Sequence, residues 1–541
     1  MKSLKLLLTF LFLCSSVFGG VNLKNGNYYI SYTDIIVPGN GHDLEVVRTY
    51  NSKSTEKGWF GFGWGSDYET YLSVSADGSV IVHENGSGAL TRFTPKNPVD
   101  AKLASTKIIE AMRKKTTVSD KVASDLMKKL TGDAELRQAY ARKFKVKAKI
   151  ADGSMLFSNT RGLQKVQKTK SGYTRFYNDG KKEHFDKEGH LVKIEDKHGY
   201  KITLDYNKQG KVQKITDTMA KQLFFEWYPD GKVKHISSVG DKKTSYKYKG
   251  NDLIESKDIA GNVFVYGYDA NHNMTSVTYS DKSKMTIAYT PKTQFVKEIV
   301  GRNKEVTSYD YDSNPKNPEM HYWTTVSKKS ASGKSSKSKY EYEIKSRADG
   351  STYTFRIATN INNLKTETIY SECCGLPLKI TRGNHKTDFV YNDKGLLTSK
   401  RSSKGDFVML EYHPKFNKIS KVTNKKGTTS FQYDKNGNLS IAKNKKKSVL
   451  LVYDSKGRIK TMLDKNNKSN EKRTLSFKYN ALGKPVEISM DKVGTINVAY
   501  DNYGEIKKVE SKSGHKMALQ VTQAFQSLLS IVKPAGVNLN M

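Results

Sequence analysis

The 541 residues are 36% hydrophobic and 27% charged, which is enough apolar content to bury a large core and excludes a chain disordered throughout. Lys and Arg number 92 against 54 Asp and Glu, and the resulting charge of +38 speaks of anionic partners rather than of fold. With 32 Tyr and 40 Gly against 11 Pro and 3 Cys, the composition favours short aromatic strands joined by glycine turns and excludes a disulfide framework.

The chain opens with Lys2 and Lys5, the apolar run Leu6–Leu13 and the small residues Ser15, Ser16, Gly19 and Gly20, which is the grammar of a secretory signal over residues 1–19. That run is too short to span a bilayer, and no later stretch is long and apolar enough, so an exported chain without a transmembrane segment is expected. Cys14 offers a lipid-attachment alternative, against which Leu13 stands where a small residue is wanted. Of the other cysteines, the adjacent Cys373 and Cys374 are expected to pack as small apolar groups, with a vicinal disulfide as the alternative.

Residues 20–97 read as β-rich. Gly61, Gly63 and Gly65 superficially match a dinucleotide loop, but no strand-then-helix context follows, so they are assigned to turns around Trp59 and Trp64. Residues 98–147 break the β pattern: Val122, Leu126 and Leu130 recur every four residues, and Leu136 with Tyr140 begins another helical face after Gly132 and Asp133. A small helical insertion, acting as a lid over the end of an array, is predicted there.

Residues 148–514 carry the dominant signal, a period of about twenty residues. An aromatic anchor, a glycine four residues later and an aliphatic two beyond recur at Phe185, Gly189 and Leu191, at Tyr206, Gly210 and Val212, and at Tyr453, Gly457 and Ile459. Looser copies are anchored at Tyr228, Tyr248, Tyr268, Tyr289, Tyr309, Tyr370, Tyr412, Tyr479 and Tyr500. Within one unit, Leu439 and Ile441 alternate with polar neighbours, Asn444–Lys447 is a turn, and Val449, Leu451 and Tyr453 alternate again, so each unit is a hairpin. A lone hairpin is marginal in water, and successive hairpins must therefore pair edge to edge into one continuous wall. Between Tyr309 and Tyr370 the Lys/Ser-rich segment 327–339 is expected to be an inserted loop. The tail 515–541 places Met517, Val521, Phe525, Leu528 and Val532 on one helical face ahead of Lys533 and Pro534, and reads as a capping helix.

The segments Tyr433-Asp-Lys-Asn-Gly-Asn-Leu439, Tyr453-Asp-Ser-Lys-Gly-Arg-Ile459 and Tyr500-Asp-Asn-Tyr-Gly-Glu-Ile506 resemble the YD repeats of the RHS family. Asp34-Ile-Ile-Val-Pro-Gly39, Leu44–Ser52 and Gly61-Phe-Gly-Trp64 are similar to the β-rich domain that commonly precedes such repeats in secreted bacterial proteins. The resemblance implies a mainly β fold, a spiralling antiparallel sheet of YD-repeat hairpins with a small helical insertion and a C-terminal helix. In relatives such a cocoon encloses a toxin or serves as a surface module. The Asp-Pro step at which toxin-bearing relatives cut themselves is missing, and the short segment His515–Met541 leaves no room for an effector domain.

No close histidine pair, Gly-x-Ser-x-Gly elbow, phosphate loop or CxxC motif is present, so neither a metal site, a cofactor nor a catalytic centre is expected. Asp434, Asp454 and Asp501 recur in register, which suits turn capping rather than a unique active site. Trp227, Trp323 and Tyr322 offer faces for sugar stacking, although aromatics on sheets more often pack across strands. The leading candidates for ligand binding are Lys328, Lys329, Lys334, Lys337 and Lys339, with no acid among them, and Lys443, Lys445, Lys446 and Lys447 at one hairpin turn. The expected function is that of an exported, non-enzymatic scaffold that binds anionic polysaccharide or another envelope polymer. The alternative is a toxin-system shell whose protein cargo comes from a separate chain. Sequence-specific nucleic-acid binding is not expected.

Overall fold

The computed structural model describes residues 18–37, 43–86, 88–95, 100–158, 164–197, 199–238, 242–373, 375–481, 483–501, 506–511 and 513–532. Residues 1–17, on which the expected secretory signal largely falls, Pro38 with Gly39, Cys374, Gly504 and residues 533–541 lie outside the described residues. The architecture is mainly β. A four-stranded antiparallel sheet, Phe18–Asn22, Asn27–Val37, Leu44–Asn51 and Trp64–Ser66, precedes a 12-stranded sheet from Tyr71–Val74 to Val233–Ser237 and a 24-stranded sheet from Ser245–Lys249 to Ile506–Ser511. In both large sheets each strand pairs with its sequence neighbours. The wall is interrupted between Val233–Ser237 and Ser245–Lys249, where the bridge between Ser237 and Lys243 and a 2.9 Å bond from Thr244 N to Ile236 O carry the chain across.

A recurring hydrogen bond explains why most units carry a tyrosine anchor. The Tyr453 hydroxyl donates to Leu439 O at 2.8 Å, Tyr433 to Ile419 O at 2.6 Å, Tyr412 to Leu397 O at 2.6 Å and Tyr268 to Leu253 O at 2.9 Å. The acceptor is in each case the aliphatic residue that follows the preceding unit's turn, so the phenols form a ladder that ties each hairpin to the one before. At most anchors the strand register slips by one residue, as between Val452 and Tyr453, which aims the ring along the sheet, whereas Tyr309 pairs in unbroken register with Val326. The turn that follows is closed by the aspartate: Asp454 Oδ1 accepts from Lys456 N and Arg458 N, both at 2.9 Å, while Gly457 takes φ +75°.

Three expectations are corrected by this geometry. The anchor of its unit is Trp227, not Tyr228: the Trp227 indole donates to Val212 O at 2.8 Å and the register slips between Glu226 and Trp227. Trp227 is accordingly unavailable for sugar stacking, because Trp59 and Phe225 pack on it with ring centroids 5.5 and 6.2 Å away. Second, the alternation across Leu439–Ile441 is broken by the slip between Gln432 and Tyr433, so that Ala442 is buried while Ile441 pairs with the exposed Leu450. Third, segment 327–339 is not an inserted loop. Strands His321–Lys329 and Ser335–Ser346 run through it with only a short turn between, and Ser and Lys on both faces conceal the alternation from the sequence.

The N-terminal sheet packs against the array from Leu204 to Val296 in one core. Phe60 meets Tyr246 at 5.1 Å and Tyr32 meets Phe264 at 4.7 Å between ring centroids. At its centre Arg48, fully buried, donates to Asp34 Oδ2 at 2.6 Å, to Ser256 Oγ at 2.6 Å and to Tyr266 Oη at 2.9 Å, and Tyr246 Oη donates to the same Asp34 oxygen at 2.8 Å. Of the glycine cluster only Gly63, at φ +75°, lies in a turn: Gly61, at φ +95°, begins the short strand Gly61–Phe62 that pairs with Lys57–Gly58 and leaves Trp59 and Phe60 as the turn packed on the array, and Gly65 lies within strand Trp64–Ser66.

The helical segment comprises three helices, Ala101–Arg113, Asp120–Gly132 and Ala134–Phe144, begun by Asp100, Ser119 and Asp133 as caps. Ile108, Met112, Leu130 and Phe144 form their core with Ala76, whereas Val122 is 56% exposed and does not join the expected face. The buried Arg137 donates to Leu130 O at 2.7 Å and to Asp349 O at 2.9 Å, linking these helices to a turn of the long sheet. At the other end the helix Gly514–Val532 buries Met517, Ala524 and Ile531 against Ala442, Val449, Met462 and Leu475, with Val521, Phe525 and Leu528 packed beside them.

Candidate functional site

The nine lysines fall on two different hairpins. Lys328, Lys329, Lys334 and Lys337 are exposed at the tip of the His321–Lys329/Ser335–Ser346 hairpin. Strand Ser335–Ser346 meets the next strand only from Ser338, which pairs with Ile361, so residues 335–337 pair on one side and project beyond their neighbour. None of these four lysines forms an ion pair among the described residues. Lys339 lies below the tip, its ammonium 4.2 Å from the Trp323 ring centroid and 3.5 Å from Glu341 Oε2.

The second group divides. Lys443, Lys445 and Lys446 are exposed, but Lys447 is half-buried and its Nζ donates to Ser527 Oγ at 3.0 Å. Lys447 thus anchors the C-terminal helix together with Arg473, whose Nε donates to Gln520 Oε1 at 2.8 Å, and it is removed from the ligand-binding set. Cys373 is exposed, which overturns its expected packing as an apolar group.

Strand pairing assembles a cluster below the hairpin tip that sequence spacing does not reveal. Trp323 pairs with Glu341, His321 with Glu343 and Glu343 with Arg356, placing these side chains on the sheet face opposite Thr324 and Tyr342. Arg356 Nη1 lies 3.1 Å from Glu341 Oε1 and 2.7 Å from Glu343 Oε1, while its Nε reaches Glu367 Oε2 at 2.6 Å. His321 Nε2 is 3.2 Å from Glu341 Oε1. Burial acts to raise the Glu341 carboxyl, but hydrogen bonds from His321 and Arg356 and the nearby Lys339 charge outweigh it and hold the group below its ordinary value. His321, Glu341 and Glu343 present ligand atoms within 4.8 Å of one another, a donor set that could hold a metal ion, yet the Arg356 guanidinium already supplies the cation between the two carboxylates. The cluster borders an open cleft of about 570 Å³ lined by Lys339, Arg356, Lys365, Glu367 and Asn384. A sheet face with an indole, a guanidinium fork, amides and carboxylates can bind a polar or anionic chain by stacking and hydrogen bonding.

Residues 19–93 match the family described as Domain of unknown function (DUF6531), and residues 164–368 match the family Teneurin YD-shell. Among curated relatives, the tRNA3(Ser)-specific nuclease WapA of Bacillus spizizenii is 35% identical over 78 residues, 14% of this chain and 3% of that protein. The tRNA nuclease WapA of Bacillus subtilis is 33% identical over 78 residues with the same shares. Of the solved structures, the Tc holotoxin pore of Photorhabdus luminescens aligns over 91% of this chain and 26% of its own at 10% identity and a TM-score of 0.40. TcdB2-TccC3-TEV aligns over 95% and 31% at 10% identity and a TM-score of 0.39. The chain thus spans about 3% of the length of these nucleases and less than a third of the Tc chains.

Proposed function

We propose, from the premise that this chain belongs to the RHS/YD-repeat family and forms a shell-type scaffold, that it is exported and works without catalysis or cofactor by binding anionic envelope polymers. The observation that carries this reading is the hairpin tip of Lys328, Lys329, Lys334 and Lys337, exposed and free of ion pairs among the described residues, above a face bearing Trp323, Lys339 and Arg356. Inner surfaces at both ends are occupied by the chain's own N-terminal sheet and C-terminal helix, so the charged turns are what it offers to a partner.

Many weak lysine contacts make such binding depend steeply on salt. Purified full chain should retain lipopolysaccharide or a teichoic-type polymer at low ionic strength and release it at moderate salt. Replacing the four tip lysines by Gln should weaken retention at least tenfold, whereas salt-independent retention, or retention unchanged in that variant, would refute the reading.

A second reading, a shell for a protein cargo supplied by another chain, is favoured by the stretch between the two cores. Tyr322, Tyr340, Ile357 and Phe389 are half-buried and belong to neither core cluster. Copurification of a co-encoded small protein protected from protease would support it, and a protease-sensitive or absent companion would count against it.

A further inference from the structure

Rims far apart in sequence meet along a seam. The Tyr200 hydroxyl donates to Lys456 O, and Lys484 Nζ lies 3.9 Å from Asp43 Oδ2. Beside these contacts a cavity of about 620 Å³ opens between the turns around Asp179 and Lys197 on the 12-stranded sheet and those around Asp393, Lys415 and Gly437 on the 24-stranded sheet.

Its lining is unbalanced in charge: Lys165, Lys197, Lys394, Lys415 and Lys418 face it with Asp179 and Asp393. Lys197 and Lys418 face it from opposite coils, and Lys418 Nζ donates to Gly437 O at 2.8 Å. The acids nearby are partly engaged. Asp434 spends Oδ1 on Asn436 N and Asn438 N and Oδ2 on Asn438 Nδ2, and Asp179 Oδ1 accepts from Lys181 N. Five lysines against two aspartates, drawn from both rims, leave the cavity with more ammonium donors than its own carboxylates can match.

We propose that this seam cavity binds a multiply charged oxyanion that bridges Lys197 of one coil to Lys418 of the next and latches the two rims together. Burial, and after it the neighbouring Lys197, lower the Lys418 ammonium to about 8 against the opposing pull of Asp179 and Asp434. Anion binding therefore strengthens as pH falls from 9 to 7, where the protonated form predominates. The site is separate from the exposed hairpin tip, and its test is independent of polymer binding.

The test titrates the full chain by calorimetry with inorganic pyrophosphate, and across pH 7 to 9 with sulfate, whose charge is constant there, at fixed ionic strength. Hydrogen exchange at Gly180, Gly395 and Phe416 is followed in parallel. Saturable binding with one ion per chain is expected, with slowed exchange on both rims. Lys197→Gln and Lys418→Gln should each weaken it at least tenfold, and Lys445→Gln with Lys446→Gln should leave it unchanged. Absence of saturable binding, equal weakening by all four substitutions, or protection confined to one rim would overturn the proposal.

Discussion

Replacing Arg48 by Met tests what joins the N-terminal sheet to the array. Arg48 and Asp34 are both fully buried, and the guanidinium sits 4.6 Å from the Trp64 ring centroid and 4.9 Å from that of Tyr32. The intact pair contributes little net stability, because desolvation of two charges offsets their attraction, and Arg48 Nη1 and Asp34 Oδ1 are buried without a hydrogen-bond partner. Removing one partner is different: Asp34 would keep only Tyr246 as a side-chain donor, at a cost of about 3–5 kcal/mol. At 1.36 kcal/mol per decade, amides of this contact, including Ile259 N bonded to Asp34 O, should exchange about two to four orders of magnitude faster. Burial already pushes the Asp34 carboxyl above its ordinary value despite Arg48, and the variant raises it further. A group whose folded pKa is raised loses stability as pH rises from its unfolded toward its folded value, so lowering the pH from 8 to 5 should restore part of the loss. The double variant Arg48→Met with Asp34→Leu should recover most of it. Exchange within tenfold of the wild type in Arg48→Met, or a double variant worse than the single one, would refute the reasoning.

Other consequences are accessible to the same measurements. Tyr453→Phe removes one ladder bond and should cost about 1 kcal/mol at strand Lys447–Tyr453, whereas Tyr268→Phe, which also strips the 2.9 Å partner of Trp64 Nε1, should cost about twice that; equal exchange rates in the two variants would contradict the ladder. Met517→Ala opens a cavity under the C-terminal helix, costs about 2–4 kcal/mol and should expose Gly514–Val532 to protease before the array is cut. His83 is held neutral, first by burial and then by the Arg142 charge, with its pKa lowered to about 3. The unfolded chain binds a proton that the folded one refuses, so stability should fall as pH drops from about 6.5 toward 3, and His83→Gln should flatten that limb of a thermal-midpoint profile.

The array is legible because its signal is local: one aromatic, one Asx turn and one glycine recur within each unit, and each has a backbone task that few other residues perform. Trp227 shows the limit of that signal. The adjacent Tyr228 competes for the anchor slot by residue type, although Gly231 and Val233 keep the repeat spacing from Trp227, and the bond to Val212 O together with the register slip settles the choice. Lys447 is misread for another reason. Nothing near it in sequence indicates that a helix eighty residues downstream lays Ser527 across its hairpin. The His321, Glu341, Glu343 and Arg356 cluster depends wholly on register, which the Ser330–Lys334 turn sets and which a one-residue slip would send to the opposite face. The seam needs still more, since the chain must coil before Lys197 and Lys418 can meet.

The ladder also accounts for how the fold carries a charge of +38. Its bonds join neutral phenols to backbone carbonyls, and its cores are chiefly aromatic and aliphatic, with the Arg48–Asp34 pair at the centre of the larger one buried away from salt, so neither depends on ion pairs that salt would screen. The turns outside the aspartate and glycine positions are then free to vary, and lysine accumulates there without loss of packing. Self-repulsion concentrates where coils approach each other, because charges around one coil are spread along the sheet while those across a seam face one another at close range. The lysine-rich cavity faced by Lys197 and Lys418 is such a place. A wall whose ladder is uncharged thus acquires an electrostatic weak point where its rims meet, and an anion at that point would hold the two rims together.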